Sequence, residues 1–449
     1  MDGTSQVKGV NLSELQADQQ TTEPVNTNRV KIQVHIDDKC PICDENFIDK
    51  EKKTLFHSVL SSKDMGTVHD KCFLPYHSEE NIKVLFKVRC WSIGDAISVT
   101  PVIRELKRLY PKIQITVLTF FPDLFKHNPN VSAILDMNHP VLQAVLDQHP
   151  FHVDGFKTET KMHFAMHSVE FAAQSAFSRS LLPDAWQYEI NYADEDRATA
   201  KKVIRDHGLD PHKDKIIVLH PHDTEWATRN WGSYGMNDLA AKLKADLPGF
   251  KFVSVGGKRE QVKAHVMKNY VPFRDELGVV DLYGKLSLLE TAAMLDLRAI
   301  KLMVTPDTGA LHLAASRPHL PIVGVFTLIK AFFRTPVRNG KFSDNFIGVN
   351  ADDPCNCTFD NRFLTNEAFF GTCPKLAFLE QTDKMTAPEI VRLDGLRNYI
   401  TGRTWTKDNL NEQIAEELVR YNPRSLPCFP TVEKVYQACM KLLHKTGSI

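Results

Sequence analysis

Between residues 81 and 350 short apolar runs alternate with segments whose apolar residues recur every three or four positions, the signature of strands and helices in turn. Val84–Arg89 alternates apolar and polar residues and predicts a strand. Ile97, Thr100, Ile103, Leu106 and Leu109 then recur at helical spacing, with Pro111 past the end and Pro101 marking a kink or a late start. Ile113–Thr119 and Ser132–Met137 are the next strands. Strand, helix and strand in this order predict a parallel sheet with a right-handed crossover.

The pattern restarts at Lys215–His220, a strand followed by the loop Pro221–Trp231 and a helix over Ser233–Leu247. A strand at Phe250–Val255 ends in Gly256-Gly257, with a helix over Arg259–Lys268 and a short strand near Val279–Leu282. Ser287 and Glu290 form a capping box that opens a helix over Leu288–Leu297. Lys301–Thr305 is again a strand, Asp307-Thr308-Gly309 a turn into a helix, and Pro321–Phe326 a strand. The expectation is α/β: two doubly wound, Rossmann-like domains, 81–210 and 211–350. A last amphipathic helix spans Thr431–Leu443, with Val432, Val435, Tyr436, Cys439 and Leu442 in register.

Candidate chemistry falls at the carboxyl ends of these strands, where parallel sheets bind ligands. The Asp307–Gly309 turn leads into a helix whose free N–H groups and positive dipole end suit a phosphate. Asp307 shapes the turn, Thr308 and Gly309 face the ligand, and His312 lies one helical turn on, either as a ligand or as a packing residue. Arg229, beside Trp231, is a phosphate clamp or a surface arginine. Gly256 and Gly257 allow close backbone approach, with Glu260 binding ribose hydroxyls or simply solvated. In the first half Asp95 follows Gly94, either as a general base for a hydroxyl nucleophile or as a helix cap. Residues 139–190 are weakly patterned; His139, His149, His152, His163 and His167 share no ligand spacing, and the region is expected to form a variable acceptor wall.

The flanks change the picture. Residues 1–30 are polar and predict a disordered tail. Residues 31–80 carry Cys40-Pro-Ile-Cys43 and His69-Asp-Lys-Cys72, a ligand set suited to tetrahedral zinc, in a stretch short of core residues. Four ligands leave no open position, so the zinc would be structural and no catalytic metal is expected. His57 and His77 are substitutes, and free thiols are the alternative. Residues 351–449 hold Cys355, Cys357, Cys373 and Cys428 at irregular gaps, a weaker case for a second metal. Lys plus Arg and Asp plus Glu are both 55, which argues against a dominant nucleic-acid field. There is no run of eighteen apolar residues and no apolar secretory leader, and nine cysteines do not read as a disulfide framework. A cytoplasmic location, at most peripheral to a membrane, is expected.

Four motifs together resemble a known family: Ser92-Ile-Gly-Asp95 with Thr100-Pro-Val-Ile-Arg104, Arg229-Asn-Trp231, Gly284-Lys-Leu-Ser-Leu288, and Thr305-Pro-Asp-Thr-Gly-Ala-Leu-His-Leu-Ala-Ala-Ser316. Over residues 81 to about 350 the chain resembles the ADP-heptose-using lipopolysaccharide heptosyltransferases. The resemblance implies a GT-B fold, an acceptor site in the first half around Ser92, Gly94 and Arg104, and a nucleotide-sugar site in the second. It makes Asp95 the base of an inverting displacement and Thr308 and Gly309 the diphosphate holders. Arg229 replaces a cation that is more often lysine, and Glu260 becomes the ribose acid. The last helix would cross back to brace the first half. The extra N-terminal and C-terminal segments leave the acceptor open: a glycan or lipid-linked glycan, or a modified DNA base or protein presented by residues 31–80. A non-catalytic scaffold that recruits a partner is the remaining alternative.

Overall fold

The computed structural model describes residues 48–49, 54–55, 59–62, 66–69, 83–90, 92–138, 151–155, 167–177, 181–221, 231–257, 272–327, 329–352 and 429–449. Strands β1 (Ile48–Asp49) and β2 (Thr54–Leu55) make a small antiparallel ribbon. β3 (Val59–Ser62) and β4 (Gly66–His69) form a hairpin. β5 (Lys83–Val88), helices α1 (Ile93–Ser98) and α2 (Thr100–Leu109), β6 (Gln114–Thr119), β7 (Ala133–Asp136) and β8 (Phe151–Asp154) follow.

These strands build a six-stranded sheet in the order β4-β3-β8-β5-β6-β7. Strands β8, β5, β6 and β7 are mutually parallel, as the strand–helix–strand pattern predicts. The β3–β4 pair adds antiparallel to the edge through Ser62 opposite Phe151, so the strands 59–62 and 66–69 extend the first sheet. The predicted single helix after β5 is two. Val99 breaks it, and Pro101 sits in the first turn of α2, where its missing N–H costs nothing.

Beyond β8 the chain runs through α3 (Ser168–Phe177), within the weakly patterned 139–190, and α4 (Asp194–Asp206), neither of them among the predicted elements. The second half contains β9 (Lys215–Leu219), α5 (Gly232–Asp246), β10 (Phe250–Ser254), β11 (Val280–Asp281), α6 (Leu288–Leu295), β12 (Ile300–Pro306), α7 (Gly309–Ala315) and β13 (Ile322–Val325). A hairpin of β14 (Val337–Arg338) and β15 (Lys341–Phe342), then β16 (Phe346–Val349) and α8 (Val432–Lys445), complete the described chain. The second sheet has the order β11-β10-β9-β12-β13-β16 and is parallel throughout.

Alternation along its strands divides the core. Ile217, Leu219, Leu302, Val304 and Val323 face one layer, whereas Ile216, Val218, Met303 and Ile322 face a layer continuous with the first half's core. The capping box at Ser287 is present as predicted, with both reciprocal bonds made.

Among the described residues the C-terminal helix packs on the second half and not, as the resemblance had implied, across the first. The buried face of α8, with Val435, Tyr436, Cys439, Leu442 and Leu443, joins the outer layer of the second sheet beside α5 and β16. An amphipathic stripe needs an apolar partner, and the outer face of β12, β13 and β16 supplies it. Polar ties fix the placement: Trp231 Nε1 donates to Pro430 O at 2.7 Å, Tyr436 to Asp246 at 2.5 Å, and Lys215 to Ser448 O at 2.7 Å. Among the described residues no helix is long and apolar enough to cross a membrane.

Candidate active site

The two halves meet where α1 leaves β5 and α7 leaves β12, both at carboxyl edges. The first turns of these helices touch, and glycine makes the approach possible. A Cβ on Gly94 would lie 2.6 Å from His312 Cδ2, and one on Gly309 would lie 2.8 Å from Ile93 Cβ. This contact puts the two principal motifs of the sequence in one place.

On the first-half side, α1 starts at Ile93 with Ser92 as its N-cap residue. Asp95 therefore sits in the first turn and is not the cap, which removes the capping alternative. Its charge reaches the Cys90 thiol, pushed up first by burial and then by Asp95. Asp95 is partly exposed, whereas Gly94 is buried. Ser92 accepts the Ala96 N–H at 3.1 Å through its carbonyl. Arg104 makes its contacts within the first half. Its guanidinium donates to Ala185 O at 2.8 Å and Gln187 O at 3.0 Å and pairs with Glu189, so it ties the 185–189 segment to α2.

On the second-half side Thr308 caps α7, its hydroxyl accepting from Ala310 N at 3.2 Å. Asp307 makes a buried ion pair with Arg334 across 3.3 Å; the two side chains are 7% and 4% exposed. His312 is itself buried, with Nδ1 3.1 Å from the Tyr188 hydroxyl. Gly256 and Gly257 follow β10, and the ring of Tyr283 packs over Gly256, parallel to that of His220 with centroids 6.4 Å apart. Arg229 and Glu260 lie outside the described residues, as do Cys40, Cys43 and Cys72. His69 ends β4, where only its backbone is described.

Tyr188 and Arg334 are the residues that sequence reasoning missed, and His167, read there only as one of five unpatterned histidines, lies with them. His167 stacks on Trp186 at 4.5 Å. Its Nε2–H donates to Thr335 O at 3.0 Å, and its Nδ1 accepts from Val169 N at 3.3 Å. Burial, with the Arg334 charge adding to it, lowers its pKa to about 4 from an ordinary 6.5. Folded and unfolded chains bind the same number of protons at this group above pH 6.5. Below that only the unfolded histidine is protonated, so stability falls between pH 6.5 and about 4 and then levels off. The full loss is about 3 kcal/mol. Thermal melts across this range should show the decline, and His167→Gln should flatten it; an equal slope in both proteins would contradict the assignment.

Residues 155–360, less than half of the 449-residue chain, match the family model described as Glycosyltransferase family 9 (heptosyltransferase). The matched span holds the second sheet, Tyr188 and the Asp307–His312 turn. The class of protein that this family description names is a glycosyltransferase.

No curated protein sequence matches the chain. Solved structures similar to it include a glycosyltransferase family 9 protein from Veillonella parvula, at 14% identity and TM-score 0.48, covering 81% of this chain and 97% of that one. Another is the Escherichia coli ADP-heptose lipopolysaccharide heptosyltransferase II, at 16% and 0.45, covering 60% and 90%. A third is TibC of enterotoxigenic E. coli, described as an iron-containing dodecameric glycosyltransferase, at 15% and 0.48, covering 82% and 78%.

Proposed function

We propose that the chain is an inverting glycosyltransferase that moves a heptose or hexose from a nucleotide-diphosphate sugar, in the first instance ADP-linked, to a hydroxyl acceptor. The observation that carries this reading is the contact of α1 with α7. It sets a partly exposed carboxylate, Asp95, beside the Asp307–His312 turn at the junction of two sheet edges.

In the proposed reaction the second half holds the diphosphate at Thr308 and Gly309, with the nucleoside toward Gly256 and Gly257. The roles of Arg229 and Glu260 in that site rest on sequence alone. Asp95 takes the proton of the acceptor hydroxyl as its oxygen attacks C1 of the sugar. The C1–oxygen bond to the diphosphate breaks with inversion, and the electron pair leaves on the diphosphate. Fixed dipoles at a helix start favour that developing charge because they need no reorganisation.

The acceptor is a glycan or a lipid-linked glycan in this proposal. The β3 and β4 strands on the edge of the first sheet support a contribution of residues 59–62 and 66–69 to the acceptor half. A protein or a modified DNA base is the alternative acceptor.

Calorimetry with a panel of nucleotide diphosphates and their sugars tests the donor half of the proposal. Saturable binding of at least one diphosphate, weakened by Thr308→Ala, is expected; no binding by any of them would favour a non-catalytic scaffold.

A further inference from the structure

Tyr188 belongs to neither sheet. It lies on an extended segment that runs between the two halves and is held from both sides. Arg104 of α2 donates to Ala185 O and Gln187 O, and Glu189 N donates to Thr100 Oγ1 at 3.0 Å. From the other half Arg317 donates to Ile190 O. Tyr188 is thereby fixed at the junction and is buried.

Its hydroxyl lies 3.1 Å from His312 Nδ1, with the two rings tilted at 49°. The opposite edge of His312, Cδ2 and Nε2, lies against Gly94, the residue before Asp95. The imidazole is therefore clamped between a tyrosine and the first turn of α1, with one nitrogen assigned to each.

We propose that Tyr188 is a positioning residue for the transfer reaction. Its O–H donates to Nδ1 of His312, which fixes the neutral imidazole with its proton on Nε2, at the side of Gly94 and Asp95. Burial, the larger influence, pushes the phenol's pKa well up, so Tyr188 keeps its proton and remains the donor. A neutral imidazole with Nδ1 occupied presents an N–H at Nε2 and not a lone pair. The edge against Gly94 then carries a proton and is not a base, so the imidazole does not compete with Asp95 for the acceptor's proton. This role rests on the glycosyltransferase reading given above.

Tyr188→Phe removes the hydroxyl and leaves the ring. Its kcat is expected to fall about 10- to 100-fold with KM for the sugar nucleotide little changed, the cost of losing the partner that orients a catalytic-site imidazole. In a His312→Ala background the same change should cost nothing further, because Tyr188 acts through His312. Nitrogen-15 spectra of histidine-labelled protein supply a readout independent of turnover. The signal that disappears in His312→Ala should report a bare Nδ1 and a protonated Nε2 in the wild type, and a mixture of tautomers in Tyr188→Phe. Full kcat in Tyr188→Phe, additive losses in the double variant, or an unchanged tautomer would each overturn the proposal. A wild-type chain that transfers no sugar would sink the glycosyltransferase reading and the reaction role together. The tautomer spectra would still decide whether Tyr188 sets the imidazole.

Discussion

Asp95→Ala is expected to lower the rate of sugar transfer by about 10²- to 10⁴-fold, the range over which a positioned general base acts. Donor affinity should be nearly unchanged, because the proposed diphosphate contacts belong to Thr308 and Gly309 on the other half. The substitution is mild for the fold. Asp95 sits in the first turn of α1, and the favourable dipole interaction lost there costs only about 0.3–1 kcal/mol. Asp95→Asn keeps shape and polarity and removes the basicity, so it should lose transfer to a similar extent. Steady-state rates with calorimetric donor affinities check both halves of the expectation. Full transfer by Asp95→Asn would place the base elsewhere.

Arg334→Met is expected to destabilise the protein by about 3–5 kcal/mol, the largest stability effect among these substitutions. Arg334 and Asp307 are 4% and 7% exposed at the side chain, so screening by water does little for either charge. Removing the guanidinium leaves a carboxylate buried in the turn ahead of α7, beside Thr308. Methionine fills the stem volume, so the loss reports the charge and not a cavity. Asp307→Asn should also destabilise, and the double variant should cost less than the sum of the two. Thermal melts of the three variants provide the measurement; additive losses would show that the pair is not coupled. Because Arg334 also acts electrostatically on Tyr188 and His167, its loss should disturb the junction as well as the turn.

The second half was legible in the sequence because its central strands are buried on both faces. Ile216, Ile217, Val218 and Leu219 are all inside, and such continuous apolar runs stand out between helical periods. The turn into α7 was legible for a local reason, since its cap, Thr308, and Gly309 are adjacent in the sequence. The first half was harder to read. β8 is only Phe151-His-Val-Asp154, and what makes it a strand is parallel pairing with β5, far away in sequence. The amphipathic stripe of α8 announced that the helix would be buried, but a stripe does not name its partner. The family resemblance supplied the wrong one.

Tyr188 and Arg334 carried no signal at all. Each acquires its role from a side chain on a distant element: Tyr188 from His312 and Arg334 from Asp307. Periodicity reports local structure and which face is covered; it is silent on which polar groups converge when two sheets close on each other. Asp95 is intermediate. Its place after Gly94 suggested either a cap or a base, and only the helix start at Ile93 removed the cap.

The most direct measurement is mass and anomeric analysis of the product formed from a panel of nucleotide-diphosphate sugars and a mixture of hydroxyl acceptors, with wild-type protein and Asp95→Asn in parallel. The predicted result is an acceptor heavier by one sugar, of anomeric configuration opposite to the donor, formed by the wild type and nearly absent with the variant. A product that keeps the donor's configuration, or one formed equally by both proteins, would contradict the account.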